Sequence, residues 1–357
     1  MTANPGTSLV VPAESPAIDP SPLFELFRGN HATEALVAAV AHFGLFRHLL
    51  PGPLSPDALR DAVGLAPRPF QVLVTALRAM GTLGVDPDGR LSTTPMAREH
   101  LLAGGPYFVG DYFGLAASSP SVLEFVERLR TNRPRGGDDG DAGVGFIYRE
   151  GIRSAMDAGE GARHFTLSLA GRAKNVAPVL AERMPLAGAR KLVDVGGGTG
   201  VYSIAFLRRN PELRAVVWDR PEVLRVAAEF AGESGVGDRL GLVPGDMFAD
   251  PFPAGADVVL LSNILHDWDE PEIRRLLARC AASMATGARL LVHDVFLDDD
   301  LGGPLPVALY SVALFNVTEG RAYSAGEYRR WLGEAGFGVT QTTPTLVHCG
   351  AMVAVRR

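Results

Sequence analysis

The fold of this chain is decided by residues 191–202, which read KLVDVGGGTGVY. The first five residues are mostly apolar, as a buried strand of a parallel sheet requires. Five small residues follow, and the run SIAFLRRN then predicts a helix that ends at Pro211. A strand, a glycine-rich turn and a helix start together form a ligand site. Glycine permits close approach of the backbone, and the N-terminus of a helix offers free N–H groups.

The spacing of the glycines restricts the class of ligand. A dinucleotide-binding turn needs the pattern GxGxxG, and neither register of this loop supplies it, because Val201 and Ser203 occupy the last glycine position. Residues 194–200 instead follow the pattern DxGxGxG. The spacing therefore argues against a dinucleotide at this turn.

Composition and length bound the class of protein. With 357 residues the chain is long enough for two domains, and its formal charge of −6 argues against a basic nucleic-acid-binding surface. Cys280 and Cys349 are too few for a disulfide framework or a cysteine zinc site. The sequence contains no signal-peptide pattern and no apolar run of the roughly 20 residues that span a membrane. We therefore expect a cytoplasmic enzyme.

The N-terminal half is predicted to be mostly helical. Residues 1–20 are rich in Pro, Ser and Ala and are expected to be a disordered tail. Residues 21–110 read as apolar helices followed by a tight hairpin, which is the outline of a winged helix. Residues 111–185 are predicted to be a helical linker that contributes to the substrate pocket, broken by a polar loop at 131–145.

A winged-helix outline raises the alternative of DNA binding. The candidate recognition helix carries only Arg68 and Arg78 as cations, and the whole chain is acidic. Binding to a phosphate backbone depends on many basic contacts. We therefore expect this apolar region to bury helices of a partner chain instead.

Residues 186–357 alternate between strands and helices and are predicted to form the catalytic domain. Five strands are separated by helices, and an alternating tail predicts a C-terminal pair of strands. The predicted fold class is α/β, a Rossmann-like doubly wound mixed sheet with an N-terminal, mostly α domain. In such sheets ligands bind beyond the carboxyl ends of the strands.

Acidic residues follow the predicted second and third strands. A carboxylate at Asp219 is placed to accept both ribose hydroxyls of a nucleoside, although it is also a common start of a turn. Asp246 can accept an adenine amino hydrogen, and the neighbouring Met247 and Phe248 can pack on the ring. The alternative is a plain loop with two core residues.

A histidine follows the fourth strand in the run NILHDW. The unperturbed pKa of histidine, near 6.5, makes His266 a neutral proton acceptor at pH 7, as a general base requires. The alternative is a histidine that caps the next helix or is hydrogen-bonded in the core. For an isolated histidine, that alternative would be preferred.

Five motifs in order carry a resemblance to a known family, namely DVGGGTG, WDRPEV, GDMF, ILHDW and an acid after the fifth strand. This region resembles the plant-type small-molecule O-methyltransferases and their actinobacterial natural-product relatives, which use S-adenosylmethionine (SAM). The N-terminal half is similar to the family's winged-helix-like dimerisation region, which implies a homodimer. By the resemblance, the residues that hold SAM are Asp194, Gly196, Gly198, Asp219, Asp246, Met247, Phe248 and Ser262.

The resemblance also implies the catalytic residues. His266 would deprotonate a phenolic hydroxyl, and Asp294 aligns with an acid that orients the histidine. Because a sulfonium is already a strong methyl donor, alignment of the reacting atoms supplies much of the rate. The predicted function is methyl transfer from SAM to a hydroxyl of a small aromatic secondary metabolite.

Three positions depart from the plant enzymes. Ser262 stands where they usually carry Lys, Asp294 is one methylene shorter than their usual Glu, and Ala322 stands where they have a second Glu. The accepting atom therefore stays open. The alternatives are a C- or N-methyltransferase on an aromatic amino acid-like or keto-acid substrate, a SAM-binding protein without catalysis, and a ligand-sensing winged-helix regulator.

Some relatives use a histidine-bound metal, and His293 adjoins Asp294. Neighbouring residues on a strand face opposite sides, so both side chains cannot enter one site. We therefore expect no metal, and we expect His293 to pack against the helices that cover the sheet.

Aromatic and amide side chains are candidates for an aromatic-lined substrate slot with two polar anchors. The alternative for each is core packing at helical spacing. The two amides are favoured, because a buried amide needs a hydrogen-bond partner. The candidates are Asn263, Phe165, Tyr310, Phe315 and Asn316.

Overall fold

The structure is a computed structural model that describes residues 8–133 and 159–357. The chain divides into two compact units, which differ from the predicted domains. The first, here called the sheet unit, comprises Met1–Pro22, Phe146–Phe296 and Ala325–Arg357; the second, the helical unit, comprises Leu23–Gly145 and Leu297–Ser324. The predicted linker 111–185 is divided between them, and the predicted polar loop lies outside the described residues from position 134 onward.

The helical unit is built from short helices and one small hairpin. Proline at the first position begins several of these helices, since its fixed φ suits a helix start and its missing N–H is not needed there. Its elements are α1 (Ser21–Arg28), α2 (Asn30–Val37), α3 (Leu45–His48), α4 (Pro56–Val63), α5 (Pro67–Ala79), β1 (Leu83–Val85), β2 (Leu91–Thr93), α6 (Pro95–His100), α7 (Gly110–Gly114), α8 (Pro120–Thr131), α13 (Leu305–Val317) and β8 (Tyr323–Ser324).

The core of the helical unit lies along α5. Leu73 and Leu77 are fully buried, and Phe315 of α13 packs in the same core, edge-to-face with Phe125. Residues 297–324 therefore belong to the helical unit, whereas the sequence placed them in the predicted catalytic domain 186–357. The predicted hairpin is present, with Leu83 opposite Thr93.

The two cations of the candidate recognition helix are both engaged within the helical unit. Arg68 is buried and donates to the carbonyl oxygens of Thr318 and Gly320, at 3.0 Å each. Arg78 forms an ion pair with Asp300, with 3.0 Å between Nη2 and Oδ2. Their contacts favour a structural role over binding to nucleic acid.

The sheet unit contains a twisted mixed sheet covered by helices. Its strands lie in the order β5-β4-β3-β6-β7-β10-β9, in which the first five are parallel and β10 runs antiparallel to β7 and β9. Its elements are α9 (Gly159–Arg183), β3 (Lys191–Val195), α10 (Val201–Arg209), β4 (Arg214–Asp219), α11 (Pro221–Ser234), β5 (Leu240–Pro244), β6 (Val258–Ser262), α12 (Glu270–Ser283), β7 (Arg289–Leu297), α14 (Ala325–Glu334), β9 (Phe337–Pro344) and β10 (Cys349–Arg356).

The predicted fold class is confirmed by this sheet. The central strand β3 is buried over its last four residues, and its Leu192 lies opposite Ala215 of β4 and Val258 of β6. β6 is buried at every position, as its uninterrupted apolar run predicts. The antiparallel pair β9–β10 completes the mixed sheet.

The described part of the N-terminal tail lies against the sheet unit. Residues 8–20 form no helix or strand, yet Val11 is buried and its carbonyl oxygen accepts from Arg208. The Ser15 hydroxyl donates to Glu182 at 3.2 Å, and the Ser21 hydroxyl accepts from the Val347 amide at 3.0 Å. This part of the tail is therefore anchored along its length.

Among the described residues, no helix has both the length and the apolar character that crossing a bilayer demands.

Candidate active site

The candidate site lies beyond the carboxyl ends of the parallel strands. β3 has β4 on one side and β6 on the other, so the order of the strands reverses at β3. Loops after strands on either side of such a reversal turn away from each other and leave a crevice in which ligands bind. The structure brings the loops after all five parallel strands to this edge.

The glycine loop after β3 needs its glycines for backbone reasons. Gly196, Gly198 and Gly200 have φ angles of 64°, 59° and 73°, which other residues rarely adopt. A Cβ atom at Gly196 would lie 2.5 Å from the Ile264 side chain. The loop therefore requires glycine at these positions whether or not a ligand is bound.

Asp219 at the end of β4 fixes the glycine loop. Its Oδ2 accepts from the Gly198 amide at 2.8 Å, and its Oδ1 accepts from the Arg220 amide at 2.7 Å. Burial raises the pKa of this carboxyl, although both amides favour its charged form. The structure thus brings together the two elements that the sequence predicted to share a ligand.

Asp194 is a buried acid beneath the loop. Its Oδ2 accepts from the Ser203 hydroxyl at 2.8 Å, whereas no hydrogen-bond partner for Oδ1 is found in the described part of the chain. Burial raises its pKa to about 7, and the nearby Asp219 adds to the shift. A cationic group next to Oδ1 would satisfy this oxygen, so the site fits a ligand with an ammonium group, such as the amino acid part of SAM.

The loop after β5 carries the residues predicted for the adenine. Asp246 is exposed, Met247 is half-buried, and Phe248 is buried edge-to-face against Trp268, with 4.8 Å between ring centroids. The Asp246 carboxylate accepts from the Phe248 amide at 2.7 Å, and Arg279 of α12 donates to the Met247 carbonyl at 2.8 Å. These two hydrogen bonds hold the loop in place.

A polar network follows β6. Asn263 has a left-handed φ of 57°, its Oδ1 accepts from Arg172 at 2.8 Å, and its Nδ2 donates to Ser262 at 3.1 Å. Ser262 is also 2.8 Å from Nδ1 of His293. Burial lowers the pKa of His293 to about 3, so this imidazole is neutral.

His266 and Asp294 form a buried pair. Nδ1 of His266 lies 2.5 Å from Oδ1 of Asp294, which also accepts from the Val295 amide at 2.8 Å. Oδ2 of Asp294 accepts from the hydroxyl of Tyr328 at 3.1 Å. Because a carboxylate only accepts, Nδ1 carries the proton and Nε2 keeps the lone pair that a general base needs.

A second carboxylate faces the other nitrogen of this histidine. Oδ1 of Asp267 lies 3.5 Å from Nε2 of His266. Burial lowers the pKa of His266, but Asp294 and Asp267 outweigh it and raise this pKa above its ordinary value. Burial raises the pKa of Asp267 to about 7. The two acidic side chains, Asp294 and Asp267, therefore stabilise the protonated form of His266.

Sequence reasoning missed Asp267, Arg172 and Tyr328. Asp267 follows His266 directly in the run ILHDW, so its position next to the candidate base could have indicated a role. Arg172 stands 91 positions before Asn263, and Tyr328 stands 34 positions after Asp294, so no local pattern marks either one.

The five candidate substrate residues have different surroundings. Phe165 is half-buried and Asn263 belongs to the polar network of the sheet unit. In the helical unit, Arg28 lies 3.8 Å above the ring of Tyr310, and Phe315 is packed in the core, as the alternative of core packing describes. Oδ1 of Asn316 is buried, and the described residues offer it no hydrogen bond.

The described residues contain no group of three or more His, Cys, Asp or Glu side chains arranged to hold a metal ion. His293 is engaged by Ser262 and, at 3.1 Å, by Thr345.

Comparison with known proteins places this geometry in a family. A family profile described as an O-methyltransferase domain matches residues 151–338. The chain is 35% identical over 326 residues to a 3-hydroxy-5-methyl-1-naphthoate 3-O-methyltransferase of Streptomyces sahachiroi, covering 90% of this chain and 91% of the relative. It is 28% identical to an L-tyrosine C(3)-methyltransferase of Streptomyces lavendulae, covering 91% and 89%.

A solved structure supports the same family. The crystal structure of an O-methyltransferase family 2 protein from Planctomyces limnophilus, in complex with apigenin, is 46% identical. It superimposes with a TM-score of 0.87 over 97% of this chain and 98% of that one. The chain therefore belongs to the plant-type O-methyltransferase family and is a SAM-dependent methyltransferase.

Proposed function

We propose that this enzyme methylates a hydroxyl of a small aromatic molecule, with His266 as the general base. The observation that carries the proposal is the buried pair in which Asp294 holds Nδ1 of His266 and leaves Nε2 as the basic nitrogen. We propose oxygen as the methyl acceptor because the naphthoate-acting relative is named for O-methylation.

The cofactor residues are proposed from the loops after β3 to β6. The glycine loop with Gly196 and Gly198 approaches the ligand by its backbone, and Asp194 would meet the ammonium group. When bound, SAM supplies an electrophilic methyl group on a sulfonium. The nucleoside would be held by Asp219, Asp246, Met247, Phe248 and Ser262.

The protein's own part of the chemistry is to place an acceptor and remove its proton. Nε2 of His266 accepts the hydroxyl proton while Asp294 stabilises the imidazolium that results. Asp267, 3.5 Å from Nε2, stabilises the same charge. A phenol, whose pKa is near 10, is a group that a histidine can help to ionise in a water-poor site.

The acceptor is proposed to be a phenolic aromatic secondary metabolite. Relatives are named for 3-hydroxy-5-methyl-1-naphthoate and L-tyrosine, and one solved structure is a complex with apigenin. Phe165, Asn263, Tyr310 and Asn316 stay candidate contacts, whereas Phe315 is packed in the core of the helical unit. Asn316 has the strongest support, because its buried Oδ1 offers an acceptor for a ligand hydroxyl.

Methylation at carbon is the second candidate, since the tyrosine-acting relative is named for C-methylation. The test uses SAM with a ¹³C-labelled methyl group and two acceptors, 3-hydroxy-5-methyl-1-naphthoate and apigenin. A methoxy carbon signal in the product supports O-methylation, whereas an aryl methyl signal would shift the proposal to carbon. His266→Ala should lower turnover by roughly 10²–10⁴ while S-adenosylhomocysteine (SAH) still binds. Unchanged turnover would remove His266 from the mechanism.

We also propose a homodimer formed through the N-terminal region. Leu23, Leu26 and Phe27 of α1 expose 69%, 79% and 81% of their surface. A helix that exposes large apolar side chains next to one another is typical of an interaction surface. The occupant we propose is a second copy of this chain in the cytoplasm.

A further inference from the structure

Tyr328 lies against the catalytic pair but belongs to a distant part of the chain. Its hydroxyl donates to Oδ2 of Asp294 at 3.1 Å, while Oδ1 of the same carboxylate accepts from His266 and from the Val295 amide. Asp294 is 1% exposed and Tyr328 is fully buried. Both oxygens of a buried carboxylate are therefore occupied, and one of them is held by a phenol.

The phenol is itself held rigidly. The ring of Tyr328 packs edge-to-face against Phe296, with centroids 5.6 Å apart, and against Trp331, with centroids 5.7 Å apart. The indole N–H of Trp331 donates to Glu270 at 3.1 Å, which ties α14 to the start of α12. A rigid ring cannot follow a moving carboxylate, so its hydroxyl defines one orientation of Asp294.

We infer that Tyr328 is a positioning residue, which fixes the carboxylate of Asp294 so that Oδ1 holds His266 with its proton on Nδ1. An aspartate rotates about its Cβ–Cγ bond, and a quarter turn would take Oδ1 away from the imidazole. The hydrogen bond from Tyr328 opposes this rotation. This inference rests on the proposed role of His266.

The charges around His266 determine what loss of the phenol does. Asp294 and Asp267 stabilise the imidazolium, and Arg172 destabilises it. In Tyr328→Phe the carboxylate of Asp294 can rotate away from Nδ1. Its hydrogen bond and its charge both raise the pKa of His266. We therefore expect a lower pKa of His266 together with slower turnover.

The test combines NMR with kinetics. The wild type is labelled with ¹⁵N-histidine, and the signals of His266 are identified by their absence from His266→Ala. At a pH above the pKa of His266, its Nε2 should be the unprotonated nitrogen. In Tyr328→Phe the pKa of His266 should fall and a second tautomer should appear. Turnover of 3-hydroxy-5-methyl-1-naphthoate should fall about tenfold, as for loss of a hydrogen bond to a charged group, with KM and SAH affinity within twofold.

Two controls separate a positioning role from a structural one. Tyr323→Phe, at a buried tyrosine of the helical unit, should leave the titration of His266 unchanged. Adding Tyr328→Phe to His266→Ala should cost no further turnover, because the phenol acts only through the histidine.

Several results would overturn the inference. These are a wild-type His266 with its proton on Nε2, a Tyr328→Phe variant with unchanged titration and tautomer, or an equal loss of turnover in the His266→Ala background. A His266→Ala variant with full activity would instead refute the proposed base, so the two failures are distinguishable.

Discussion

The buried carboxyl of Asp194 should make cofactor binding depend on pH. Its Oδ1 has no partner in the described chain and its pKa is raised to about 7 by burial. An ammonium group of the ligand pairs with the ionised form only. Binding therefore releases a proton, and the affinity for SAH should rise as the pH increases through 7.

The magnitude follows from the fraction of Asp194 that is ionised. With a pKa of about 7, about one tenth is ionised at pH 6 and about nine tenths at pH 8, so the Kd of SAH should fall by about tenfold between these values, or about 1.4 kcal/mol. Asp219 also has a raised pKa and lies near Asp194, so it must be controlled separately.

Isothermal titration calorimetry at pH 6, 7 and 8 measures this effect. Repeating the pH 7 titration in buffers of different ionisation enthalpy counts the protons released. Asp194→Asn should bind SAH more weakly at pH 8, and with much less dependence on pH. Asp219→Asn should keep a dependence on pH but move it to lower pH, because the charge of Asp219 adds to the pKa shift of Asp194. A wild-type Kd that is flat from pH 6 to pH 8, with no proton released, would refute the reasoning.

The raised pKa of Asp194 also affects the stability of the ligand-free protein. The folded-state pKa of Asp194 lies above the unfolded value of 3.8, so its contribution to stability is present below pH 4 and is lost as the pH rises through 7. Asp194→Asn should therefore raise the melting temperature at pH 8 and raise it less at pH 5. Differential scanning fluorimetry at both pH values checks this sign.

Three further predictions address other parts of the molecule. Asp219→Ala removes the acceptor of the Gly198 and Arg220 amides. Calorimetry should therefore show that SAH binds at least about tenfold more weakly, and an unchanged Kd would exclude Asp219 from the cofactor site. Asp267→Asn removes one of the two carboxylates that raise the pKa of His266, so the acid limb of the pH–kcat profile should move to lower pH, and a shift to higher pH would contradict the assignment. The double variant Leu26→Glu, Phe27→Glu should convert the proposed dimer to a monomer, as measured by light scattering. Leu50→Glu, at another exposed leucine, is the control, and a monomeric wild type would contradict the α1 interface.

Much of the fold was predictable because its signals are local. The strand, glycine turn and helix at residues 191–209 are neighbours in sequence, and their pattern predicted β3, the loop and α10 as the structure has them. The sequence predicted that Asp219 and the glycine loop share a ligand, and the two lie together because adjacent parallel strands end at one edge. The sequence predicted that His266 and Asp294 would act together, and their side chains are hydrogen-bonded.

Other features followed only from the tertiary structure. Residues 297–324 belong to the helical unit because the apolar face of α13 completes the core around α5, and no boundary signal in the sequence announces that return. Tyr328 reaches Asp294 because α14 packs beside the end of β7, an arrangement that aromatic contacts of distant residues decide.

The sequence by itself determined the succession of strands and helices along the catalytic region, the glycine loop and the family, since these depend on residue types at short spacing. The tertiary structure decided the chemistry of the charged groups. The raised pKa values of Asp194 and Asp267 and the lowered pKa of His293 come from the removal of water by side chains from many elements. Such burial is a property of the packed chain, and no local run of residues contains it.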